Sequence, residues 1–292
     1  MFLAWTSAHR TVGVDHSRWA VCSIPVSRFI SFLSDFGNDD EFVGVVHGVI
    51  AKLAPDVRVI DINHRIDRGD VRAGALALTR AVQYVPDGVV LAVVDPGVGT
   101  SRRAIAAETE RCVFVGPDNG LLGPAIAMLG GAGRIAAIEN PEMRIPSAGR
   151  TFDGRDLFGP AAALLASGEA SLEDCGPIVD PDGVTPMLLP LPEVKPGSIS
   201  ATAWWVDHFG NVQMNISTED LDLAGITAEE TLTVRVGTAV HEVPWVTSYG
   251  EVDDGEVLLH VDGSGLIALA VRGGSAAADL NLSEGVSVTL SA

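Results

Sequence analysis

Asp95 and Arg102, with the glycines between them, are the residues of this chain best placed to do chemistry. In Val93-Val94-Asp95-Pro96-Gly97-Val98-Gly99-Thr100-Ser101-Arg102-Arg103 an apolar run ends in a carboxylate, a glycine-rich turn and two arginines. Strand ends of this kind hold the ligand sites of α/β proteins. Pro96 fixes its φ, while Gly97 and Gly99 permit a sharp turn, so Asp95 and Arg102 can face one small pocket. Alone, the segment reads as a plain turn closed by a surface ion pair, because short glycine motifs recur by chance. Its weight comes from other polar loops in the same region: Asp35-Phe36-Gly37, Asp118-Asn119-Gly120 and Thr151-Phe152-Asp153-Gly154-Arg155-Asp156.

Asp35 ends an apolar run and has the chemistry to accept two hydrogen bonds from a vicinal diol such as ribose. Capping the next helix is the other reading, and the sequence leaves both open. Asp118-Asn119-Gly120 reads as a structural turn that Asn119 braces. Asp153, Arg155 and Asp156 by themselves form a helix-start cluster with one ion pair. Further along, Trp204-Trp205-Val206-Asp207-His208-Phe209-Gly210-Asn211-Val212 sets a carboxylate, an amide and aromatic rings at a turn. Asp207 suits an ammonium, and Asn211 can both donate to and accept from a purine edge. A hairpin turn explains the same residues. His64 and His208 stand alone and are assigned no metal or base role. GxxxxGK[ST], HExxH and GxSxG are absent, as is GxGxxG after the first strand, so P-loop, zinc-protease, hydrolase-elbow and ordinary dinucleotide readings fall away.

The elements that must position these loops alternate. Residues 29–34 read as a buried strand, 41–53 as a helix with apolar residues at helical spacing, 57–62 as a strand, 71–83 as a helix and 89–94 as the strand before the opening motif. Another strand spans 112–115 and another helix 157–167. Strand, helix, strand in this order is the signature of a parallel sheet, whose loops at the strand carboxyl ends converge on one edge. After Gly168, prolines at 177, 181, 186, 190, 192 and 196 mark a linker,. Beyond it come short strands at 198–206, 212–215, 231–236, 257–261, 266–271 and 286–290, the spacing of a β-barrel or sandwich. The expected organisation is an extension over 1–27, an α/β domain with a central mostly parallel sheet over 28–190, and an all-β, barrel-like domain over 191–292.

The 292 residues suffice for two domains, and 47% hydrophobic with 20% charged residues describes a globular protein,. A net charge of -19 argues against a nucleic-acid partner, which needs clustered positive charge,. No apolar run reaches the length of a membrane helix. The three cysteines, Cys22, Cys112 and Cys175, are widely spaced and lack metal-ligand patterns, so a cytoplasmic location is expected,.

Taken in order, Ser34-Asp35-Phe36-Gly37, Val59-Ile60-Asp61-Ile62-Asn63-His64, Val94 to Thr100, Pro117-Asp118-Asn119-Gly120-Leu121-Leu122, Thr151 to Asp156 and Asp207 to Val212 resemble one family over about residues 28 to 292. It is the S-adenosylmethionine hydroxide adenosyltransferases, also called DUF62, relatives of the fluorinase and chlorinase. The resemblance implies an α/β domain, a β-barrel domain, and a homotrimer with sites between neighbouring subunits. It implies that water or hydroxide attacks C5′ of S-adenosylmethionine to release adenosine and L-methionine, with no metal or other cofactor. By position, Asp35 resembles the ribose carboxylate, Asn211 the adenine contact, Asp207 the ammonium contact and Tyr249 an aromatic on the adenine; Ser264 is the candidate for the methionine carboxylate. Asp95 and Arg102 match two members of the family's Asp-Arg-His triad.

The third member departs from the pattern. The hydroxide enzymes read Thr-Phe-His-Gly-Arg-Asp where this chain has Thr151-Phe152-Asp153-Gly154-Arg155-Asp156. A second carboxylate near Asp95 adds repulsion, so the sequence predicts slowed hydrolysis, with Asp153→His raising adenosine release. The alternatives are a halogenase, which two carboxylates disfavour by repelling a halide, and a non-catalytic binder of adenosine or S-adenosylmethionine.

Overall fold

The computed structural model describes residues 28–180, 183–227 and 231–292. The expected extension over 1–27, with Cys22, lies outside the described residues. Two compact units meet in sequence between Leu188 and Leu189.

In the first unit, β1 (Phe29–Ser34), α1 (Phe42–Leu53), β2 (Arg58–Asn63), α2 (Val71–Ala81) and β3 (Gly88–Val93) alternate along the chain, and β5 (Cys112–Pro117) follows with no helix between. The sheet has seven strands in the order β2-β1-β3-β5-β4-β6-β7, where β4 is Ala104–Glu108, β6 Arg134–Ala137 and β7 Ile178–Val179. Pairings among β2, β1, β3 and β5 are parallel; α1 and α2 make the crossovers between the first three strands, and β4 the one from β3 to β5,. The far half, β5-β4-β6-β7, is antiparallel. The expected parallel sheet is therefore its central and β2-side portion. The chain leaves β3 through the Asp95 loop into an antiparallel strand, not a helix.

Strand β3 is buried along its whole length, as a central strand covered on both faces should be,. Helices α1 and α4 (Gly159–Ser167) cover one face, where Val46, Ile50, Ala161 and Ala162 join Phe32, Leu91, Val93 and Phe158 in one core. Alanines along α4 let it approach closely, and fully buried phenylalanines contribute about 1.5–3 kcal/mol each. Cys112 and Cys175 are free and buried.

The second unit is an all-antiparallel sheet in the order β12-β11-β15-β9-β10-β14-β13, with β8 beside β9. Its strands are β8 (Glu193–Lys195), β9 (Ser198–Val206), β10 (Val212–Ser217), β11 (Thr231–Val236), β12 (Ala239–Pro244), β13 (Val257–Val261), β14 (Leu266–Val271) and β15 (Ser287–Ser291). Trp245, just past β12, bridges Leu259 of β13 and nearly closes the barrel. Ile199, Ala201 and Ala203 point inward at alternate positions of β9, the period that a one-sided core imposes,.

Gly116 is placed where no side chain fits, since a Cβ there would lie 2.3 Å from the backbone carbonyl oxygen of Ala92. That atom belongs to a central strand and cannot retreat. Gly116→Ala is expected to lower stability by about 3 kcal/mol, as forced overpacking does, and a urea midpoint unchanged from the wild type would contradict this.

Candidate active site

The loop after β3 folds back because successive turns close it. Val98 N–H donates to the Asp95 carbonyl at 3.2 Å and Thr100 N–H to the Gly97 carbonyl at 3.1 Å, while Gly99 takes a left-handed φ of 79°,. The Thr100 hydroxyl donates to the Gly97 carbonyl at 2.6 Å and accepts the Arg102 N–H at 3.3 Å. The chain thereby returns Arg102 to Asp95.

The Arg102 guanidinium donates from Nε and Nη2 to Asp95 Oδ2, at 2.9 and 2.5 Å, and from Nη2 to Asp153 Oδ2 at 2.6 Å. Side-chain exposure is only 13% for Arg102, 5% for Asp95 and 8% for Asp153, so these charges are nearly dry and need one another,. Burial alone would weaken the protonated guanidinium, but the two carboxylates more than offset it and raise its pKa. The face of Phe158 lies 5.0 Å from the guanidinium carbon, a cation–π contact,. Asp153 precedes a π-helical turn, Gly154–Phe158, which passes directly into α4. Such turns gather at functional sites.

Arg144, which nothing in the sequence singled out, donates from Nη2 to Asp153 Oδ1 at 2.9 Å. Two guanidiniums therefore face two carboxylates, and the repulsion expected between Asp95 and Asp153 is balanced locally. Asp95 Oδ1 is buried without a hydrogen-bond partner among the described residues. A cavity of about 770 Å³ opens on the far side, lined by Arg102, Arg103, Asn140, Arg144, Arg150 and Asp153 among others, a size suited to a small ligand,. Neither Asp35 nor Asp95 lines it.

Asp35 does not cap α1, whose N-cap is Glu41. It follows β1 at the same sheet edge, and its Oδ2 accepts the Gly69 N–H at 2.8 Å, just before Asp70 caps α2. Asn119 braces its loop through the Val94 carbonyl at 2.8 Å, and Asp118 pairs with Arg103. Arg155 pairs with Asp156, leaving Asp153 to Arg102 and Arg144.

Of the remaining candidates, all in the second unit, Asp207, Asn211 and Tyr249 come together at the β9–β10 turn. Asp207 Oδ1 accepts the N–H groups of Phe209 and Asn211, each at 2.9 Å, and Oδ2 accepts Asn211 Nδ2 at 2.8 Å. The hairpin turn is thus present, with Asp207 and Asn211 built into it. Asn211 Nδ2 also lies 3.5 Å from the Tyr249 hydroxyl. Burial, then the charges of Asp207 and Asp262, push the Tyr249 phenol upward in pKa. Ser264 sits in the β13–β14 turn, its N–H on Asp262 Oδ1 at 2.8 Å, and Gln213 donates to the other Asp262 oxygen. His260, which nothing in the sequence singles out, packs at a tilt against Tyr249 with ring centroids 5.2 Å apart. Tyr249 and Phe209 remain 45% and 74% exposed, an unusual state for rings beside a polar cluster,.

Sequence models of the SAM hydroxide adenosyltransferase N-terminal and C-terminal domains match residues 30–176 and 201–289. The chain belongs to this family. Among its relatives, an (R)-S-adenosyl-L-methionine hydrolase of Salinispora tropica is 46% identical, over 88% of this chain and 95% of that protein. One from Thermus thermophilus is 39% identical, over 90% and 99%. A fluorinase of an Actinoplanes species is more distant, 27% identical over 89% and 96%. In three dimensions the chain resembles an uncharacterized conserved protein from Thermotoga maritima, with a TM-score of 0.85 and 35% identity over 90% of this chain and all of that one.

Burial raises the pKa of Asp35; the Gly69 N–H opposes this, and the negative charge of Asp95 adds to the rise. Between the ordinary carboxyl value and the raised one, the folded protein holds a proton that the unfolded chain has lost, so stability falls as pH rises through that window. Asp35→Asn keeps an acceptor for Gly69 without the charge. It is expected to raise Tm at pH 7 by about 2 °C, with the gain shrinking as acid protonates Asp35 in the wild type. A lowered Tm at pH 7 would refute this.

Proposed function

We propose that the protein is an (R)-S-adenosyl-L-methionine hydrolase. The observation that carries this reading is Asp95 Oδ1, a buried acceptor with no partner among the described residues, held beside the Arg102 guanidinium. Such an oxygen is placed to take a hydrogen bond from an attacking water. One water lone pair then forms a bond to C5′, the C5′–S bond breaks, and its electron pair stays on sulfur. The positive sulfonium becomes the neutral thioether of L-methionine, and adenosine forms as the water proton passes through Asp95 to solvent. The chemistry asks of the protein alignment and exclusion of bulk water, not a metal or other cofactor.

In this reading Asp95, Arg102 and Asp153 position the water, with Asp153 in the place of the family histidine. Asp35 takes the ribose hydroxyls, Asn211 the adenine edge, Tyr249 the adenine face, Asp207 the ammonium and Ser264 the methionine carboxylate. The same resemblance supports a homotrimer in which neighbouring copies complete one another's sites. Exposed Phe209 and Tyr249 are rings that such a contact would cover. Light scattering should then give the mass of a trimer. No helix among the described residues is long and apolar enough to cross a membrane, and the reading places the enzyme in the cytoplasm, away from nucleic acid.

Arg144 reverses one expectation. Histidine at position 153 was to relieve repulsion, but the carboxylate there answers two arginines. Asp153→His is therefore expected to slow adenosine release, and Arg144→Ala to slow it about tenfold, ~1.4 kcal/mol of barrier.

The test is chromatography of separate (R)- and (S)-S-adenosylmethionine incubations with and without high halide. Adenosine from the (R) form, lost in Asp95→Ala and Arg102→Ala, is expected. Ligand-induced stabilisation without product would identify a binder instead, 5′-halo-adenosine a halogenase, and unchanged turnover in Arg102→Ala would remove that residue from the mechanism.

A further inference from the structure

At the β2 edge of the first unit's sheet, away from the Arg102 contacts, three side chains from two stretches of chain point at one spot. They are His47 from α1, Asp61 from β2 and His64 from just after β2. His47 Nε2 lies 2.8 Å and His64 Nε2 3.0 Å from the same oxygen, Asp61 Oδ1, and the three donor atoms all fall within 4.8 Å of one another. We propose that His47, Asp61 and His64 form a binding site for a divalent transition-metal ion, an assignment that the proposed hydrolysis does not use.

The placement of the imidazoles favours ligation. His64 is almost fully buried, and its Nδ1 lies 2.7 Å from the hydroxyl of buried Ser34, which fixes the ring and turns Nε2 toward Asp61. Metal-bound histidines almost always carry such a partner on the second nitrogen. The Phe32 ring packs against both imidazoles, with centroids 4.5 Å from His64 and 6.1 Å from His47. Little ordering of ligands is left for the ion to impose. The donor separations are those of hydrogen bonds, and a tetrahedral ion with ligands near 2.0 Å spreads its donors to about 3.3 Å. Rotation of the half-exposed Asp61 side chain supplies that difference.

Binding needs no redox step. Each imidazole gives up its Nε2 proton and takes one on Nδ1, where His64 then donates to Ser34 Oγ. Two neutral nitrogens and one carboxylate suit Zn²⁺, Co²⁺ or Ni²⁺ better than Mg²⁺ or Ca²⁺, which prefer all-oxygen shells. The side chains of Asp61 and His47 are 47% and 34% exposed, so an ion has an entry path and room for water in the remaining position. The site is tied to the turn beyond β1. Ser34 precedes Asp35, and the His64 carbonyl accepts the Gly37 N–H at 2.7 Å. An ion held here braces the turn that carries Asp35.

The test uses the untagged full chain, freed of metal with a chelator and titrated with Co²⁺ while the visible ligand-field band is followed. A 1:1 complex with a Kd of about 10 μM or tighter is expected, Zn²⁺ displacing the Co²⁺, and Tm rising with metal as mass action requires. His47→Ala removes a partly exposed ligand without opening the core. It should weaken Co²⁺ binding by about tenfold or more and leave metal-free adenosine release unchanged. Asp61→Asn should weaken binding similarly. Mg²⁺ at the same concentration should leave Tm unmoved. No saturable 1:1 band up to about 100 μM Co²⁺ overturns the proposal, as does binding of the same strength in a folded His47→Ala protein. Both readouts are independent of catalysis, so failure of the hydrolase reading leaves this outcome untouched.

Discussion

A guanidinium between two nearly dry carboxylates is the interaction on which the first unit's site depends. Neither Asp95 nor Asp153 is affordable in isolation at its depth, since an unpaired buried charge costs several kcal/mol. Arg102 binds both, Phe158 covers its face, and Arg144 takes the remaining Asp153 oxygen. One carboxylate oxygen is left over, and it is on Asp95. The charges are arranged so that three of the four carboxylate oxygens are bonded to guanidiniums while one stays available for a reactant.

Much of this was legible in the sequence, and the reason is periodicity. Phe29 to Ser34, Gly88 to Val93 and the barrel strands Ser198–Val206, Thr231–Val236, Val257–Val261 and Leu266–Val271 are apolar or alternating runs bounded by turn residues, so local pattern and fold agree,. Ala104–Glu108 and Arg134–Ala137 escaped notice because alanine has little intrinsic preference for a strand, and only pairing with neighbours makes them strands,. Hence the antiparallel half of the first sheet was not foreseen. Asp35 shows the opposite case: two local readings were open, and the position of the helix start at Phe42 decides against the cap.

Arg144 and His47 mark where a single sequence stops informing. Arg144 meets Asp153 nine residues on and His47 meets Asp61 fourteen residues on, and neither belongs to a local motif that marks the contact. The departure at Asp153 looked like a lost histidine and an added repulsion. With Arg144 on its far oxygen and Arg102 on the other, it is instead a carboxylate answered by two guanidiniums.

The π-helical turn after Asp153 has a geometric meaning of its own. Asp153 and Phe158 stand five residues apart, and both meet the Arg102 guanidinium, one with its carboxylate and the other with its ring. On a regular α-helix, residues with that spacing diverge by about 140° around the axis. The wider winding of Gly154–Phe158 brings them back toward one side,. The local unwinding thus works as a phase corrector: the same residues wound as an ordinary α-helix would leave the arginine with either its charge partner or its aromatic cover, but not both.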